Sequence, residues 1–464
     1  MHIGDATPPP PSIEPSGAWW RGLTGYQWFV FLVASLGWLF DTMDQQLFTL
    51  ARASAVRSLL AIPPGDTSQQ GRIDLYAGYA TSIFLIGWAT GGIVFGILGD
   101  KIGRVRTMVL TILSYSAFTG LSALSTNVWD FALYRFLTGL GVGGQLSVSV
   151  ALVAEVMSDR ARPMALGSLQ ALSTVGNISA ALINIVLGKI EQTGAITAWR
   201  VMFLVGMIPA LLVIPIFLKL KEPERWKAAV KETADGETKP KLGSLAELFG
   251  DPRWRRNVIV GMVLAFAGVV GLWGIGFFSY DLVDAVFRDH FQKQGMAPEE
   301  ISGHLTFWKG ITSLVQNAGA FFGIYAFAYL GQWLGRRPAF AISFVLAAAS
   351  TILTFWALDS FWQIFVLIPI MGFCQLAVFG GYAIYFPELF PTRLRSTGVS
   401  LCYNVGGRLV AAGGSSIKGL MTNTVFKGFA EPMRYSGIAM CAVFAVGLLV
   451  LPFAPETKDQ PLPE

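Results

Sequence analysis

The chain has 464 residues, of which 53% are hydrophobic and only 14% are charged, whereas about 25% are charged in ordinary soluble domains. Its 34 basic and 29 acidic side chains give a net charge of +5, an excess that in a membrane protein usually reflects loop orientation rather than an anionic partner. This composition argues against a soluble enzyme, a disordered scaffold and a nucleic-acid-binding protein.

Apolar runs of about 20 residues, separated by short charged or Gly- and Pro-rich segments, predict membrane-spanning helices. They account for nearly all the apolar residues, so no separate globular catalytic domain is expected. The predicted fold class is an all-α membrane protein with twelve transmembrane helices. These fall at 26–51, 76–99, 107–126, 130–156, 164–190, 199–220, 256–285, 305–331, 338–357, 361–386, 395–421 and 435–454.

The polar segments divide the chain into five regions. We expect cytoplasmic tails at 1–25 and 455–464, six-helix bundles at 26–220 and 256–454, and a cytoplasmic linker at 221–255. The side of the predicted membrane that holds both tails carries twenty-one Lys and Arg, against nine on the other side, and the positive-inside rule therefore places both termini in the cytoplasm. A small regulatory domain is the alternative interpretation of the linker.

Three short motifs recur in the same order in the two predicted bundles. They are an Asp-x-x-Asp pair late in the first helix, a Gly-x-x-x-Gly-Arg loop after the second, and a Glu followed by two arginines after the fourth. The paired positions are 41–44 and 281–284, 99–104 and 331–336, and 155–162 and 388–395. Such a duplicated six-helix unit is typical of transporters that hold their substrate between two pseudo-symmetric halves, near the bilayer midplane.

Several of these motifs resemble signatures of the major facilitator superfamily. Residues 96–106 (GILGDKIGRVR) are similar to its loop between helices two and three, and Arg135 with the glycines that follow is similar to its fourth-helix motif. Residues 222–226 (EPERW) and 455–458 (PETK) resemble signatures of the sugar-porter branch. The chain is therefore identified as a member of this superfamily, which implies transport by alternating access.

Other features concern the branch of the superfamily. Residues 388–398 (ELFPTRLRSTG) resemble the loop 10–11 of metabolite:proton and aromatic-acid:proton symporters, and Asp41-x-x-Asp44 resembles the first-helix motif of the aromatic-acid group. The paired glutamines and the tryptophan motif of sugar porters are missing, and only Gln170 keeps a sugar-porter-like contact position. The resemblance implies proton-coupled symport of a small organic anion, such as a mono- or aromatic carboxylate. A sugar or polyol carrier is the alternative.

Ionisable side chains inside the spans indicate where proton coupling occurs, because each costs about 2.5–3.5 kcal/mol at a helix centre on insertion scales. Asp41 and Asp44 lie three residues apart, on one helical face, and Arg135 reaches a similar depth from the outer end of the fourth helix. A carboxylate beside an arginine stays ionised, and it takes a proton when the pairing breaks in a dry cavity. We predict proton coupling by these three residues; the alternative is a static buried pair that fixes helix packing.

Arg408 is the cation expected to bind the substrate. It lies midway along the eleventh predicted helix, and its guanidinium offers a fork that matches a carboxylate. It also resembles the helix-eleven arginine of organic-anion carriers, although a structural salt bridge to Asp281 or Asp284 is the alternative. The remaining residues predicted to line the substrate site are Gln170, Asp281, Phe379, Tyr382, Tyr385, Tyr403 and Asn404.

Charged residues at the cytoplasmic helix ends match a network of the superfamily. The resemblance implies that this network gates the conformational cycle by holding the two halves together in one state, with simple loop anchoring as the alternative. The residues are Asp100, Arg104, Glu155, Arg160, Glu388 and Arg393.

The sequence contains no metal-ligand spacing and no Walker-type loop, so we expect no cofactor and no metal. A membrane-embedded enzyme has no nucleophile-base pair to support it. The predicted protein is a carrier of the bacterial inner membrane that functions as a monomer, with the organic anion, protons and the lipid bilayer as partners and no nucleic acid. A non-transporting substrate sensor is the alternative from another functional class.

Overall fold

A computed structural model describes the chain except for residues 1–17, 64–67, 192–196, 236–240, 297, 410–420 and 430. The side chains of several further residues, among them Asp281, Asp284 and Arg408, also lie outside the described set. The described residues form helices, turns and irregular segments and no strand, which confirms the predicted all-α class.

The N-terminal half is a bundle of six long helices. Two of them begin with side-chain caps: Thr24 accepts from the backbone of Gln27, and Asn127 accepts from the first turn of the fourth helix. The helices are α1 (Gly25–Leu59), α2 (Gln70–Lys101), α3 (Arg104–Ser122), α4 (Val128–Val156), α5 (Arg162–Glu191) and α6 (Ala198–Lys219).

The C-terminal half repeats this arrangement after two short helices in the predicted linker, α7 (Glu224–Asp235) and α8 (Leu245–Gly250). The ninth helix contains a π-helical segment in its middle, and the thirteenth begins as α-helix and continues as π-helix on both sides of residues 410–420. The helices are α9 (Pro252–Val269, Val270–Ile275 and Gly276–Lys293), α10 (Pro298–Trp333), α11 (Arg336–Ala357), α12 (Phe361–Glu388), α13 (Arg395–Ser400, Leu401–Leu409 and Met421–Val425) and α14 (Pro432–Phe453).

Among the described residues, nine helices are long and apolar enough to cross a membrane. Two others, α1 and α3, are less apolar because α1 carries Asp41 and Asp44 and α3 begins with two arginines and is rich in Ser and Thr. With α13, which is described only in part, they complete the twelve helices of the predicted fold.

The first helix is longer than its predicted span of 26–51. It runs for 35 residues, or about 52 Å, against a hydrocarbon thickness of about 30 Å. Its last turns bury Val56 against Ile73 and Ala77 of α2 and against Ile62 in the connecting segment. This small apolar cluster continues α1 beyond the membrane core, and hydropathy alone does not predict it.

Glycines bring α2 and α4 into backbone contact. A Cβ at Gly91 would lie 2.0 Å from the carbonyl oxygen of Leu140, and one at Gly143 would lie 2.2 Å from that of Trp88. No side chain fits at such distances, so these positions set the closest helix pair of the N-terminal bundle.

The two halves meet chiefly where α5 packs on α10 and α2 packs on α13, with further contacts of α5 with α12 and of α4 with α13. We call the end of the molecule where α7 and α8 pack the linker end, and the other end the opposite end. At the linker end, the indole Nε1 of Trp226 in α7 donates to the carbonyl oxygen of Asp100 at 2.8 Å. The linker end therefore holds the loops after α2, α4 and α12.

Candidate functional site

Asp44 of α1 and Arg135 of α4 face each other inside the N-terminal bundle. Both residues are fully buried, and Asp44 Oδ2 lies 3.8 Å from Arg135 Nη1. Neither of these two atoms has a hydrogen-bond partner among the described residues. The structure therefore brings these two predicted residues together as an ion pair without a direct hydrogen bond.

A hydroxyl group of α3 contacts each member of this pair. Thr119 Oγ1 donates to Asp44 Oδ1 at 2.7 Å. Ser122 Oγ accepts from Arg135 Nε at 3.0 Å and from Nη2 at 2.6 Å, while Nη2 also donates to the carbonyl oxygen of Phe118 at 3.3 Å. Thr119 and Ser122 are three residues apart and share a helical face. Neither residue is predicted from the sequence.

Aromatic rings cover the pair. The guanidinium carbon of Arg135 lies 4.7 Å from the ring centroid of Phe203 and 5.6 Å from that of Phe48, within the range of cation–π attraction. A Cβ at Gly206 of α6 would approach Thr119 Cγ2 to 2.4 Å and Asp44 Oδ1 to 3.2 Å. The α6 backbone therefore closes the site on the side of the carboxylate and leaves no room there for a larger side chain.

Asp41, the third residue predicted to couple protons, is also fully buried, one turn before Asp44. Tyr115 of α3 is buried in the same region and interacts electrostatically with both carboxylates. The structure thus pairs Arg135 with Asp44 and places Asp41 beside Tyr115.

The predicted aromatic residues of the substrate site form a cluster in the C-terminal half. The ring centroid of Tyr403 lies 6.2 Å from that of Phe379 and 6.3 Å from that of Tyr382, and Phe379 and Tyr382 are 5.5 Å apart. The Tyr382 hydroxyl donates to the carbonyl oxygen of Leu264. In this conformation the cluster is buried.

The other predicted substrate residues occupy different places. The Tyr385 hydroxyl donates to the carbonyl oxygen of Pro455 at the linker end, at 2.7 Å. Asn404 lies between the halves, where Nδ2 donates to the carbonyl oxygen of Gly143 at 2.9 Å. Gln170 of α5 is buried, and its Oε1 has no hydrogen-bond partner among the described residues. The side chains of Arg408 and Asp281 lie outside the described set.

Two polar pairs that are not predicted from the sequence connect α5 with α10. Asn177 Nδ2 donates to Asn317 Oδ1 at 3.1 Å, and the Tyr325 hydroxyl donates to Ser168 Oγ at 2.9 Å. Asparagines inside apolar spans are an available sequence signal, since a buried amide requires a partner. The two pairs therefore join the halves at two levels of α5, one at Ser168 and one at Asn177, nine residues further along the helix.

At the linker end, the same arginine–glutamate arrangement occurs in both halves. Arg104 donates from Nε and Nη2 to Glu155 at 3.1 and 2.8 Å and from Nη1 to the carbonyl oxygen of Gly99 at 2.6 Å. Arg336 makes the corresponding bonds to Glu388 at 3.0 and 2.8 Å and to Gly331 at 2.6 Å. The duplicated motifs thus fold into nearly identical bidentate pairs.

A glutamate that follows each bundle caps the start of its third helix. Glu222 accepts from the backbone N–H of Arg104 at 2.7 Å and of Val105 at 3.1 Å. Glu456 accepts from the backbone N–H of Arg336 at 2.8 Å and of Arg337 at 3.0 Å. Although burial raises the pKa of Glu456, these N–H groups outweigh burial and bring its pKa below the ordinary value of 4.5.

Glycine is required where these glutamates approach the backbone. Gly103 and Gly335 precede the capped helices with φ of 112° and 103°, a region that other residues rarely adopt. A Cβ at Gly103 would lie 2.2 Å from Glu222 Oε1. The second glycine of each loop motif, Gly103 or Gly335, is therefore required by the backbone conformation at that position.

Three hydrogen bonds to one carboxylate connect the halves at the linker end. Asp100 of α2 accepts from the backbone N–H of Ser396 at 3.1 Å and of Thr397 at 2.9 Å, and from Thr397 Oγ1 at 2.6 Å. These donors belong to the first turn of α13, so Asp100 caps a helix of the other half.

An ion pair adds to this connection. Arg395 Nη1 lies 2.8 Å from Glu155 Oε1, and Arg104 Nη2 donates to the carbonyl oxygen of Thr392 at 2.6 Å. We call these bonds, together with those of Asp100 to α13, the cross-half contacts. They involve three of the six predicted gating residues, Asp100, Arg104 and Glu155.

The predicted gating arginines Arg160 and Arg393 lie elsewhere. Arg160 is exposed, and Arg393 pairs with Glu247 of the linker helix α8 at 2.7 Å. The buried arginines of these two loops are Arg162 and Arg395, each two residues further along the chain. The sequence motif contains both arginines, and in each loop the buried one is the first residue of the following helix.

Comparisons with known proteins agree with this architecture. The chain matches the model of the family described as "Sugar (and other) transporter" over residues 26–252 and 260–459. It is 27% identical to the "Probable 4-methylmuconolactone transporter" of Cupriavidus pinatubonensis, over 94% of this chain and 92% of that protein. It is 30% identical to the "Cis,cis-muconate transport protein" of Acinetobacter baylyi, over 72% and 76% of the two chains.

A solved structure of the major facilitator proton:xylose symporter, bound to a bromo-deoxyglucose, has a similar fold. The TM-score is 0.70 at 17% sequence identity, and the alignment covers 94% of this chain and 98% of that chain. At this identity the similarity concerns the fold alone.

Proposed function

Since the chain belongs to the sugar (and other) transporter family of the major facilitator superfamily, we propose that it carries a small organic anion together with protons by alternating access. The predicted superfamily is confirmed, and the chain is an integral membrane transporter rather than an enzyme. Proton coupling, the substrate class and the direction are the proposal.

The observation that carries proton coupling is the buried Asp44–Arg135 pair. The two charges are 3.8 Å apart without a direct hydrogen bond, so their pairing can be lost without breaking a bidentate contact. An uncompensated carboxylate in a dry site binds a proton more readily than one beside a guanidinium. Movement of α1 against α4 would therefore change the proton occupancy of Asp44, which is what a proton-coupled cycle requires.

Two relatives support an organic anion as substrate, because their names give a muconolactone and cis,cis-muconate as cargo. For this chain we propose Arg408 as the residue that binds the carboxylate, from its sequence position four residues after Asn404. Gln170 and the aromatic cluster of Phe379, Tyr382 and Tyr403 would complete the site. A planar unsaturated acid suits aromatic walls and one cation.

The cross-half contacts support alternating access. They hold α2 and α4 against α13 at the linker end, and all of them must break before a substrate can leave on that side. We propose that this end is cytoplasmic, with both termini there, that the protein lies in the bacterial inner membrane, and that it works as a monomer. The described conformation is then the one closed to the cytoplasm.

A sugar or polyol is the second candidate substrate. The description of the matching family, which names sugars, and the buried amide of Gln170 favour it. A non-transporting sensor remains the candidate from another class. A transport measurement distinguishes the sugar carrier and the sensor from the proposed anion carrier.

The purified protein is reconstituted into vesicles of phosphatidylethanolamine and phosphatidylglycerol and tested with radiolabelled cis,cis-muconate and xylose. We expect muconate to accumulate only with an inward proton gradient, and Asp289→Asn, an exposed carboxylate paired with Lys293, to behave as wild type. Uptake unaffected by a protonophore would exclude proton coupling. Accumulation of xylose but not muconate would replace the anion by a sugar, and no flux of either would favour the sensor.

A further inference from the structure

Each charge of the Asp44–Arg135 pair is held by a different hydroxyl of α3. We propose that Thr119 and Ser122 are positioning residues that set the proton affinity of Asp44, Thr119 by donating to its carboxylate and Ser122 by holding the Arg135 guanidinium away from it. The proposal rests on the proposed function, in which Asp44 takes up and releases the coupled proton. It assigns a role to α3, which otherwise lies outside the pair.

Thr119 favours the ionised form of Asp44. Its hydroxyl donates to Asp44 Oδ1 at 2.7 Å, and a donor stabilises a carboxylate more than a neutral carboxyl group. Loss of this hydroxyl leaves the carboxylate with one hydrogen bond fewer in a fully buried position. The carboxylate should then bind its proton at higher pH.

Ser122 acts on the other partner. Its oxygen accepts two N–H groups of Arg135, from Nε and Nη2, and so turns the guanidinium toward α3. Only Nη1 faces Asp44, at 3.8 Å from Oδ2. Without this acceptor the guanidinium is free to approach Asp44 and form a direct charge-assisted bond. A closer cation makes the carboxylate harder to protonate.

The other groups around Asp44 are the same whether Thr119 or Ser122 is replaced. Among the described residues, the ionisable groups that face it are Asp41 on α1, Tyr115 on α3 and Arg135 on α4. From α6 the neighbours are Phe203 and the backbone at Gly206, which carry no charge. The two hydroxyls therefore act in a fixed electrostatic background, and their removal should have opposite consequences.

Infrared difference spectroscopy of the full-length protein in detergent measures the protonation of Asp44 without a substrate. The C=O stretch of a protonated carboxyl group is followed against pH, and Asp44→Asn identifies the band of Asp44. We expect Thr119→Val to move the midpoint of this titration by about one pH unit or more toward alkaline pH, the size of one hydrogen bond to a charged group. Ser122→Ala should move it by roughly one unit toward acid pH.

Two further variants test whether the hydroxyl itself is responsible. Thr119→Ser keeps the donor and should restore the wild-type midpoint. Thr354→Val removes an equally buried hydroxyl, which donates to the carbonyl oxygen of Ser350 in α11, and should leave the midpoint unchanged. Melting temperatures of all variants establish that they are folded.

Shifts of the same sign for Thr119→Val and Ser122→Ala, or no shift in either, would overturn the proposal. An Asp44 band that does not titrate at any pH at which the protein stays folded would overturn it too. Failure of the proposed function looks different, because it appears as absent or gradient-independent uptake in vesicles while the infrared titration still gives opposite shifts.

Discussion

Arg395 of the C-terminal half lies 2.8 Å from Glu155 of the N-terminal half, and both side chains are shielded from solvent. The same oxygen, Glu155 Oε1, also accepts from Arg104 of its own half at 2.8 Å. One carboxylate therefore serves two guanidinium groups, of which one stays with it throughout the transport cycle we propose. Because Arg104 continues to neutralise Glu155 when the halves separate, opening exposes only Arg395 to the loss of its partner, and this lowers the cost of breaking a buried ion pair.

Replacement of Asp44 should uncouple transport from the proton gradient. We expect Asp44→Asn to abolish accumulation of cis,cis-muconate and to leave some exchange of labelled for unlabelled substrate, because an amide cannot release a proton but fits the same space. Counterflow and gradient-driven uptake in the same vesicles measure the two quantities. If Asp44→Asn accumulates substrate like wild type, the carboxylate is a static packing group.

Removal of the Asp100 carboxylate should favour opening at the linker end. The substitution Asp100→Asn removes a charge-assisted cap on α13, and hydrogen bonds to charged groups contribute about 1.5–3 kcal/mol. We expect substrate binding to be kept and turnover to fall, with a more reactive cysteine at position 400, where Ser400 now donates to the Gly92 carbonyl oxygen. Labelling rates in a background without the buried Cys374, Cys402 and Cys441 provide the measurement. Equal labelling with and without the Asp100→Asn substitution would argue for simple loop anchoring.

Substitution of two glycines of α2 should have different effects, one on the stability of the fold and the other on the equilibrium between open and closed conformations. Gly91 packs within the N-terminal bundle against Leu140, while Gly96 packs across the halves, where a Cβ would lie 2.7 Å from Ser400 Cβ. We expect Gly91→Ala to destabilise the fold by about 1–3 kcal/mol through overpacking. Gly96→Ala should instead leave the melting temperature nearly unchanged and increase cysteine labelling at position 400. Similar losses of melting temperature in both variants would contradict this division.

Arg408→Ala should weaken anion binding by roughly tenfold to a hundredfold, the equivalent of one charge-assisted hydrogen bond. Arg408→Lys should recover only part of the affinity, because an ammonium group lacks the planar fork. Calorimetric titration with cis,cis-muconate measures this, provided that each variant is monodisperse in detergent. Wild-type affinity in Arg408→Ala would make the arginine structural, and a neutral preferred substrate would exclude the organic-anion assignment.

Glu456 should make stability depend on pH at the linker end. Its pKa is lowered in the folded state, so its contribution is present above the pKa of the unfolded chain and is lost as pH falls through the lower folded value. We expect Glu456→Gln to melt at a lower temperature than wild type at neutral pH, and the difference to narrow below about pH 4. The exposed Glu431→Gln is the control. A difference between wild type and Glu456→Gln that is independent of pH would assign the effect to packing.

Hydropathy was sufficient to predict the twelve helices, because a membrane span must be long and apolar. It could not predict the extension of α1 to Leu59, which depends on contacts with α2 outside the membrane core. The pairing of Asp44 with Arg135 followed from the cost of burying single charges. Its two hydroxyl partners could not be found this way, since serine and threonine in helices commonly bond to their own backbone, as Ser122 also does with Phe118.

The sequence also did not predict which of two nearby arginines is buried. Arg162 and Arg395 are the first residues of α5 and α13, whereas Arg160 and Arg393 lie two residues earlier, in a turn and in a 3₁₀ segment. The two arginines of each pair therefore have different backbone conformations and point in different directions. Which one is buried depends on where α5 and α13 begin, and element boundaries are the least certain part of any reading from sequence.

The segment after α14 has a practical consequence for handling the protein. Thr457 donates to Glu388 at 2.6 Å, Leu462 is buried, and Arg395 Nη2 donates to the carbonyl oxygen of Pro463 at 3.3 Å. A purification tag or fluorescent protein fused directly behind Glu464 would lie next to Pro463, whose carbonyl oxygen accepts from Arg395, the arginine that joins the halves. We expect such a fusion to weaken this contact and to shift the equilibrium between the conformations of the carrier.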